Sequence, residues 1–373
     1  MNKELKRVCL IATEMRGFGA YGGFGVLTYD IARGLAERGL DVYVAMPRQK
    51  AQKPIEKADG VTVLSYPSPL YVGLKETLPF AGLYRALDAD IYHSQEPSVG
   101  TRLAQIAAPK KRHIVTFQDP RTIEDWRKQS APYRASRLSE WKFLWRYQRE
   151  SGEAARRADA RYCQAKYIVK KARAIYRLAQ DPGFLPNPVE MSTIRHPKEP
   201  GPTVCFVGRW DPIKRPELFL ELASRFMRVK FVIAGDCLND PKRRDYIRQR
   251  CKNLPNVESP GWLGAEERDA ILDKSWIMAN TSTKECLPVS YLEAGAHKCA
   301  ILSHGNADDF ASSFGFWAQK GDLDDYAQGL QFLLENDRWK ALGEKAYGYV
   351  KETHEYERVI DRHLRVYEEV LQS

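Results

Sequence analysis

No apolar run in this chain approaches the roughly 20 residues that a helix needs to cross a bilayer, so the sequence predicts no membrane-spanning segment. The opening stretch, MNKELKRVCLIAT, has only a short apolar run that passes straight into a strand-like pattern, and it does not read as a signal peptide. Cysteines are few and scattered, seven in all (9, 163, 205, 237, 251, 286 and 299), and never spaced Cys-x-x-Cys. That argues against a disulfide framework and against a thiol redox motif. Most lie in strand-like runs, as small buried hydrophobes do, and the expectation is a reduced, cytoplasmic protein. No His, Cys and carboxylate group has metal-ligand spacing. Asp88-Ala-Asp90 resembles an Asp-x-Asp metal site in letters, but Asp90 begins a strand instead of ending one. There is no low-complexity tract and no block of like charge long enough to suggest a disordered tail.

What is present is enough for a large core. The chain has 373 residues, 43% hydrophobic and 28% charged, and its length favours two domains. The net charge of +10 is local: residues 1–190 carry 32 Lys and Arg against 20 Asp and Glu, and residues 121–177 alone carry 16 against 6. Short apolar strands alternate with helical patterns. The strands expected are Val8–Ala12, Asp41–Met46, Val61–Tyr66, Asp90–Ser94 and His113–Phe117, then Thr203–Gly208, Val229–Gly235, Trp276–Thr281 and Ala300–Ser303. Stripes such as Leu27, Ile31, Leu35 and Leu218, Leu222, Phe226 mark helices between them. Six prolines between Pro182 and Pro202 break the alternation, which then restarts at TVCFVG. The expected class is α/β, two Rossmann-like, doubly wound parallel-sheet lobes facing a cleft. The boundaries are 1–190 for an acceptor-binding domain, 191–355 for a donor-binding domain, and 356–373 for a helix returning toward the first domain.

Two segments carry the chemistry. In TVCFVGRWDPIKRP a buried strand ends at Gly208, and Arg209 and Lys214 follow on the loop, where two cations can grip a diphosphate. In TSTKECLPVSYLEAGAHKCA, Pro288 sits where a helix begins, so the N–H groups from Cys286 and Leu287 to Val289 are placed to bind an anion. Glu285 and Glu293, eight residues apart, lie roughly 10–12 Å from each other along a helix axis. A retaining hydrolase needs its carboxyl pair about 5 Å apart, so they serve different ligands. GFGAYGGFG (17–25) spells Gly-x-Gly-x-x-Gly, yet the second strand ends at Ala45-Met46-Pro47 without a ribose-binding carboxylate; Arg48 leaves an NADP site open. The loop reads as glycines that let backbone approach a ligand. His93, near a strand end, is either a core histidine or a cleft residue.

In order, these pieces resemble the retaining glycosyltransferases of family 4, which have the GT-B fold. The resemblance rests on FVGRWDPIKRPELFLE, VKFVIAGD, NVESPGWLGAEERDAIL, ECLPVSYLEAGA and GDLDDYAQGLQFLLENDRWKALGEKAYGYV, with GGFGVLTYDIARGLAERGLDVYV and FLPNPVE in the first half. It implies a nucleotide-sugar donor whose diphosphate meets Arg209 and Lys214, a ribose at Glu293, a transferred sugar at Glu285, Gly22-Gly23 on the phosphate side, and no metal. In HIVTFQDPR the family usually has His where this chain has Gln118, which leaves Gln118 or Asp119 as the substitute contact. The run after Glu285 is Cys286-Leu287, and the family's Asn-Gly is Asn187-Pro188.

Residues 121–177 interleave Trp126, Trp141, Phe143, Trp145 and Tyr147 with Arg127, Lys128, Lys142, Arg146 and Arg149. Two readings stand: an anionic membrane surface or a phosphorylated, lipid-linked acceptor on one side, a solvated basic helix on the other. No nucleic-acid motif accompanies the charge. Hexose transfer from a UDP- or GDP-sugar is the expected activity, possible at the inner face of a membrane. An epimerase or NADP oxidoreductase, and a non-catalytic sugar-nucleotide binder, are the alternatives.

Overall fold

Strands whose residues are apolar at every position must be covered on both faces. Val8, Cys9, Leu10 and Ile11 are all buried, as are Ile277, Met278, Ala279 and Ala300, Ile301, Leu302. In the computed structural model, which describes residues 5–19, 21–48, 52–66, 78–131, 136–193, 196–237 and 240–373, these runs form the centres of two sheets. The chain divides into two compact units, Met1–Pro188 with Glu357–Ser373, and Val189–Tyr356. The change of unit at Pro188 falls inside the proline-rich run.

Among the described residues the first unit has eight strands: β1 (Arg7–Ile11), β2 (Asp41–Pro47), β3 (Ile55–Ala58), β4 (Val61–Tyr66), β5 (Ile91–Ser94), β6 (Arg112–Phe117), β7 (Ala160–Cys163) and β8 (Gly183–Phe184). Their order is β3-β4-β2-β1-β5-β6-β7-β8, and only β3 runs antiparallel. The helix Gly23–Glu37 buries Leu27, Ile31 and Leu35, the stripe seen in the sequence. From Glu357 on, the last helix, Tyr356–Gln372, belongs to this unit. Its Tyr367 is fully buried, and Arg38 clasps its outer side through Glu357 and Asp361, both at 2.7 Å.

The second unit has, among the described residues, six parallel strands: β9 (Thr203–Val207), β10 (Lys230–Ala234), β11 (Val257–Gly261), β12 (Ile277–Asn280), β13 (Ala300–Ser303) and β14 (Gly315–Trp317). The order is β11-β10-β9-β12-β13-β14. The chain therefore winds outward from β9 in one direction and resumes at β12 in the other. That reversal opens a crevice at the carboxyl ends of β9 and β12, the place where open α/β sheets bind ligands. In the first unit the corresponding reversal lies between β1 and β5. All seven cysteines are free and six are buried. Among the described residues no helix is long and apolar enough to cross a membrane.

Candidate active site

The β9–β12 reversal is laced together by backbone-directed bonds. The loop after β9 leaves through Gly208, whose N–H reaches Ala234 O, and through Trp210, which is fully buried with its N–H on Asp236 O. A short 3-10 turn, Pro212–Lys214, precedes the helix Pro216–Arg225. Arg215 stands in the left-handed region (φ +48°) and donates from Nε to Thr281 O at 2.5 Å and from Nη1 to Gly321 O at 2.8 Å. Thr281 returns its hydroxyl to Lys214 O at 2.7 Å, and Thr283 N–H meets Ile213 O. The segment after β12 is thus pinned against the loop after β9.

That pinning brings Lys214 and Glu285 into contact. Lys214 Nζ pairs directly with Glu285 Oε1. The same oxygen accepts Ser282 Oγ–H at 2.7 Å and faces Asn280 Nδ2 at 3.5 Å, while Asn280 Oδ1 takes Ser282 N–H at 2.9 Å. The two side chains are 25% and 13% exposed, so the pair is partly desolvated and more strongly coupled than a surface pair. A small cavity lined by Phe206, Lys214, Asn280, Ser282 and Ser290 lies between the two strand ends. Arg209, on the same loop as Lys214, is half exposed and held by Asp211 at 3.1 Å.

The helix following Glu285 starts one residue later than the sequence suggests. It spans Val289–Ala296, and Pro288 is its N-cap, with no side-chain cap. The ψ of Pro288 is extended (φ −71°, ψ 141°), outside the helical range, so the first turn begins at Val289. Leu287 is buried and Cys286 partly so. Glu293 pairs with Arg268 Nη1 at 3.2 Å. Gly295 lets the helix Arg338–Thr353 approach closely, since a Cβ there would stand 2.8 Å from Val350 Cγ2.

In the first unit, two carboxylates that sequence reasoning passed over organise the strand ends. Glu14 Oε1 accepts the N–H groups of both Gly22 and Gly25 at 2.9 Å. The start of the helix Gly23–Glu37 already has its anion, and the Gly22 N–H is committed to it. Positive φ occurs at Gly17 and Gly19, not at Gly22 or Gly23. Glu96, just beyond β5, accepts Gln118 N–H at 2.8 Å and Asp119 N–H at 2.9 Å on one oxygen, and Tyr176 Oη–H at 3.2 Å on the other. Burial pushes its carboxyl up to about 7, against those two backbone donors. The available signal was position alone: Glu14 lies just past β1 ahead of the glycines, and Glu96 just past β5.

Gln118 is buried and its carboxamide exchanges two 3.0 Å bonds with Asn187, which also reaches Gln164 Oε1 at 3.1 Å. Asp119 is held by Arg121 Nε at 2.7 Å. Of the two placements left open for His93, the structure has the core one. It is fully buried, with Nδ1 on Tyr367 Oη and Nε2 on Thr116 Oγ1, both at 2.8 Å. Burial, and then His363, hold its pKa well below the ordinary value. With both nitrogens occupied it is a core histidine that fastens the last helix.

Comparison with known proteins agrees with this architecture. Residues 21–193 match the model of Glycosyltransferase Family 4, and residues 201–336 match Glycosyl transferases group 1. No curated protein is a significant sequence relative. Among solved structures, sucrose-phosphate synthase from Thermosynechococcus elongatus is similar with a TM-score of 0.77 and 14% identity, covering 98% of this chain and 99% of that one. Anabaena HepE in complex with UDP and glucose gives 0.70 and 13%, covering 97% and 99%. WaaG, a glycosyltransferase involved in lipopolysaccharide biosynthesis, gives 0.68 and 13%, covering 96% and 99%. Two parallel-sheet α/β units carrying these two family domains in sequence make the chain a member of the family 4 and group 1 glycosyltransferases of GT-B fold, and an enzyme of glycosyl transfer.

Proposed function

We propose that the chain transfers a hexose from a UDP- or GDP-sugar to an acceptor hydroxyl with retention of configuration, and that the donor binds at the β9–β12 reversal. The observation that carries this is the Lys214–Glu285 pair beside the start of Val289–Ala296, which has no side-chain cap, with Arg209 on the same loop as Lys214. Cations on a strand-end loop facing a helix N-terminus suit a diphosphate. On this reading the diphosphate takes Lys214 from Glu285. The freed carboxylate, still held by Ser282, accepts hydroxyls of the transferred sugar, and Glu293 turns from Arg268 to the ribose. Gly208 and residues 286–289 supply backbone to the phosphates. In the reaction the bond from C1 to the diphosphate oxygen breaks as the sugar gains oxocarbenium character. The acceptor oxygen attacks on the same face, and its proton passes to the departing phosphate. Arg209 and Lys214 meet the leaving charge, and chelators leave turnover unchanged because no metal enters the scheme.

Gln118, tied into carboxamides, offers neutral hydrogen bonds and no proton transfer; Asp119 is the second candidate contact. The acceptor is a glycan or a lipid-linked sugar at the inner face of a membrane, a placement suggested by the basic segment 121–177 and by WaaG's part in lipopolysaccharide biosynthesis. A thermal-shift series with UDP-, GDP- and ADP-sugars tests the donor site, since a ligand of the native state raises stability. A shift with UDP or GDP forms, absent in Lys214→Ala, is the expected result. No shift with any of them counts against it.

A further inference from the structure

The helix leading into the middle of the basic segment is apolar on the side that faces away from its unit. Leu138, Trp141, Leu144 and Trp145 are 60%, 53%, 40% and 55% exposed. They lie on the helix Arg137–Lys142 and the π-helical turn Phe143–Tyr147 that continues it, at spacings of three and four, which share one face. The inward face is served by a different residue: Phe143 is buried and stacks on Trp126 at 5.5 Å. A helix of this kind ordinarily shows polar residues outward. Here two indoles lie stacked in the open, 5.5 Å apart and 7° from parallel, with the Arg149 guanidinium 5.7 Å from the Trp145 ring.

The charge around this stripe says what covers it. Residues 136–149 contain four basic residues and one acidic, Glu140, and Glu140 is already paired with Arg127. Lys142 and Arg149 are exposed beside the indoles. Tryptophan favours the headgroup level of a bilayer, where its ring is apolar and its N–H wet. Cationic residues add affinity for anionic lipid. With no helix among the described residues fit to span a membrane, such a stripe lies in the interface plane.

We infer that Leu138, Trp141, Leu144 and Trp145 form an interfacial anchor that seats this unit on an anionic bilayer, with Lys142 and Arg149 meeting the headgroups. The inference rests on the membrane-side acceptor proposed above and is independent of the donor chemistry.

The test uses the full chain with vesicles of phosphatidylcholine alone and of phosphatidylcholine with phosphatidylglycerol. Wild type sediments with the mixed vesicles, and brominated lipid quenches its tryptophan fluorescence. The double variant Trp141→Ser/Trp145→Ser loses about tenfold or more in vesicle affinity, as expected from removing two half-exposed indoles. It keeps its nucleoside diphosphate thermal shift, so the donor reading is scored separately. Lys142→Glu/Arg149→Glu loses the preference for anionic vesicles. Undiminished binding by the folded Trp variant overturns the anchor while sparing an electrostatic membrane contact. Absence of wild-type binding and of quenching overturns both, whether or not the Trp variant folds. A wild-type dimer that the Trp variant turns into a monomer, or single-stranded nucleic acid displaced by that variant in place of lipid, also overturns it.

Discussion

Lys214 and Glu285 neutralise one another, and the consequence differs for the two partners. On the proposed donor site, replacing Lys214 by Ala removes a donor from the leaving charge, so turnover should fall about 10²–10³-fold, the usual loss for one well-placed group, and affinity for UDP or GDP should fall with it. Glu285→Gln keeps the oxygen that Ser282 addresses but releases the ammonium, so nucleoside diphosphate binding strengthens while transfer falls. Calorimetry with UDP or GDP on both variants, read beside transfer rates, separates the two; equal weakening in both would contradict the pairing. Glu96 gives a pH test. Its folded pKa, about 7, lies above the unfolded value near 4.5, so the folded state holds the extra proton between them, and stability falls as pH rises through that window. Asp119 and Arg121 face it with opposite effects on its charge. His93, His113 and His363, all lowered by burial, act in the contrary sense and withdraw stability as pH drops below about 6.5. The difference between wild type and Glu96→Gln isolates the carboxyl: denaturant midpoints of the two draw together at pH 4.5 and diverge toward pH 7.5, with the variant gaining. Parallel curves would remove the shift attributed to Glu96.

At the scale of elements, the turn after β10 is set by one glycine. Gly235 has φ +143°, and a Cβ there would stand 1.8 Å from Gly208 O. That carbonyl belongs to the loop that carries Arg209. Gly235→Ala therefore destabilises the protein by more than about 3 kcal/mol, combining backbone strain with a displaced loop. Any folded remainder has weakened donor binding; a variant that melts and binds as wild type would show that the loop has another course. The strands that bracket this region were legible in the sequence because burial on both faces makes them continuously apolar: Thr203–Val207, Lys230–Ala234, Ile277–Asn280 and Ala300–Ser303 each fall within a residue or two of expectation. The edges were not. β11 reads VESPG, polar and with a proline, which an edge strand with an irregular register tolerates. β14 is three residues long, and β3 alternates without a core face of its own. Side-chain partnerships were invisible as well. Nothing in the spacing of Arg268 and Glu293, or of Glu14 and Gly22, signals a pair, because the first joins two separate helices and the second two loop positions, and only the fold brings each together.

At the scale of the whole molecule, the chain leaves the first unit at Pro188 and returns to it at Glu357, so the last helix stabilises a unit whose other residues lie more than 150 positions upstream. Its buried polar anchor is Tyr367 Oη against His93 Nδ1, with His363 beside them. Tyr367→Phe leaves His93 Nδ1 without its partner in an apolar setting, a loss of about 1–3 kcal/mol. The ring itself is kept, so no cavity adds to that figure. The bond lies wholly within the first unit, whereas Lys214 and Glu285 lie wholly within the second. Tyr367→Phe should therefore lower the melting temperature by several degrees and leave the affinity for UDP or GDP where it was, whereas Lys214→Ala should do the reverse. Paired melting and calorimetric titrations on the two variants decide it. A fall in nucleotide affinity in Tyr367→Phe would mean that stability in one unit is linked to ligand binding in the other, and that the returning helix transmits it.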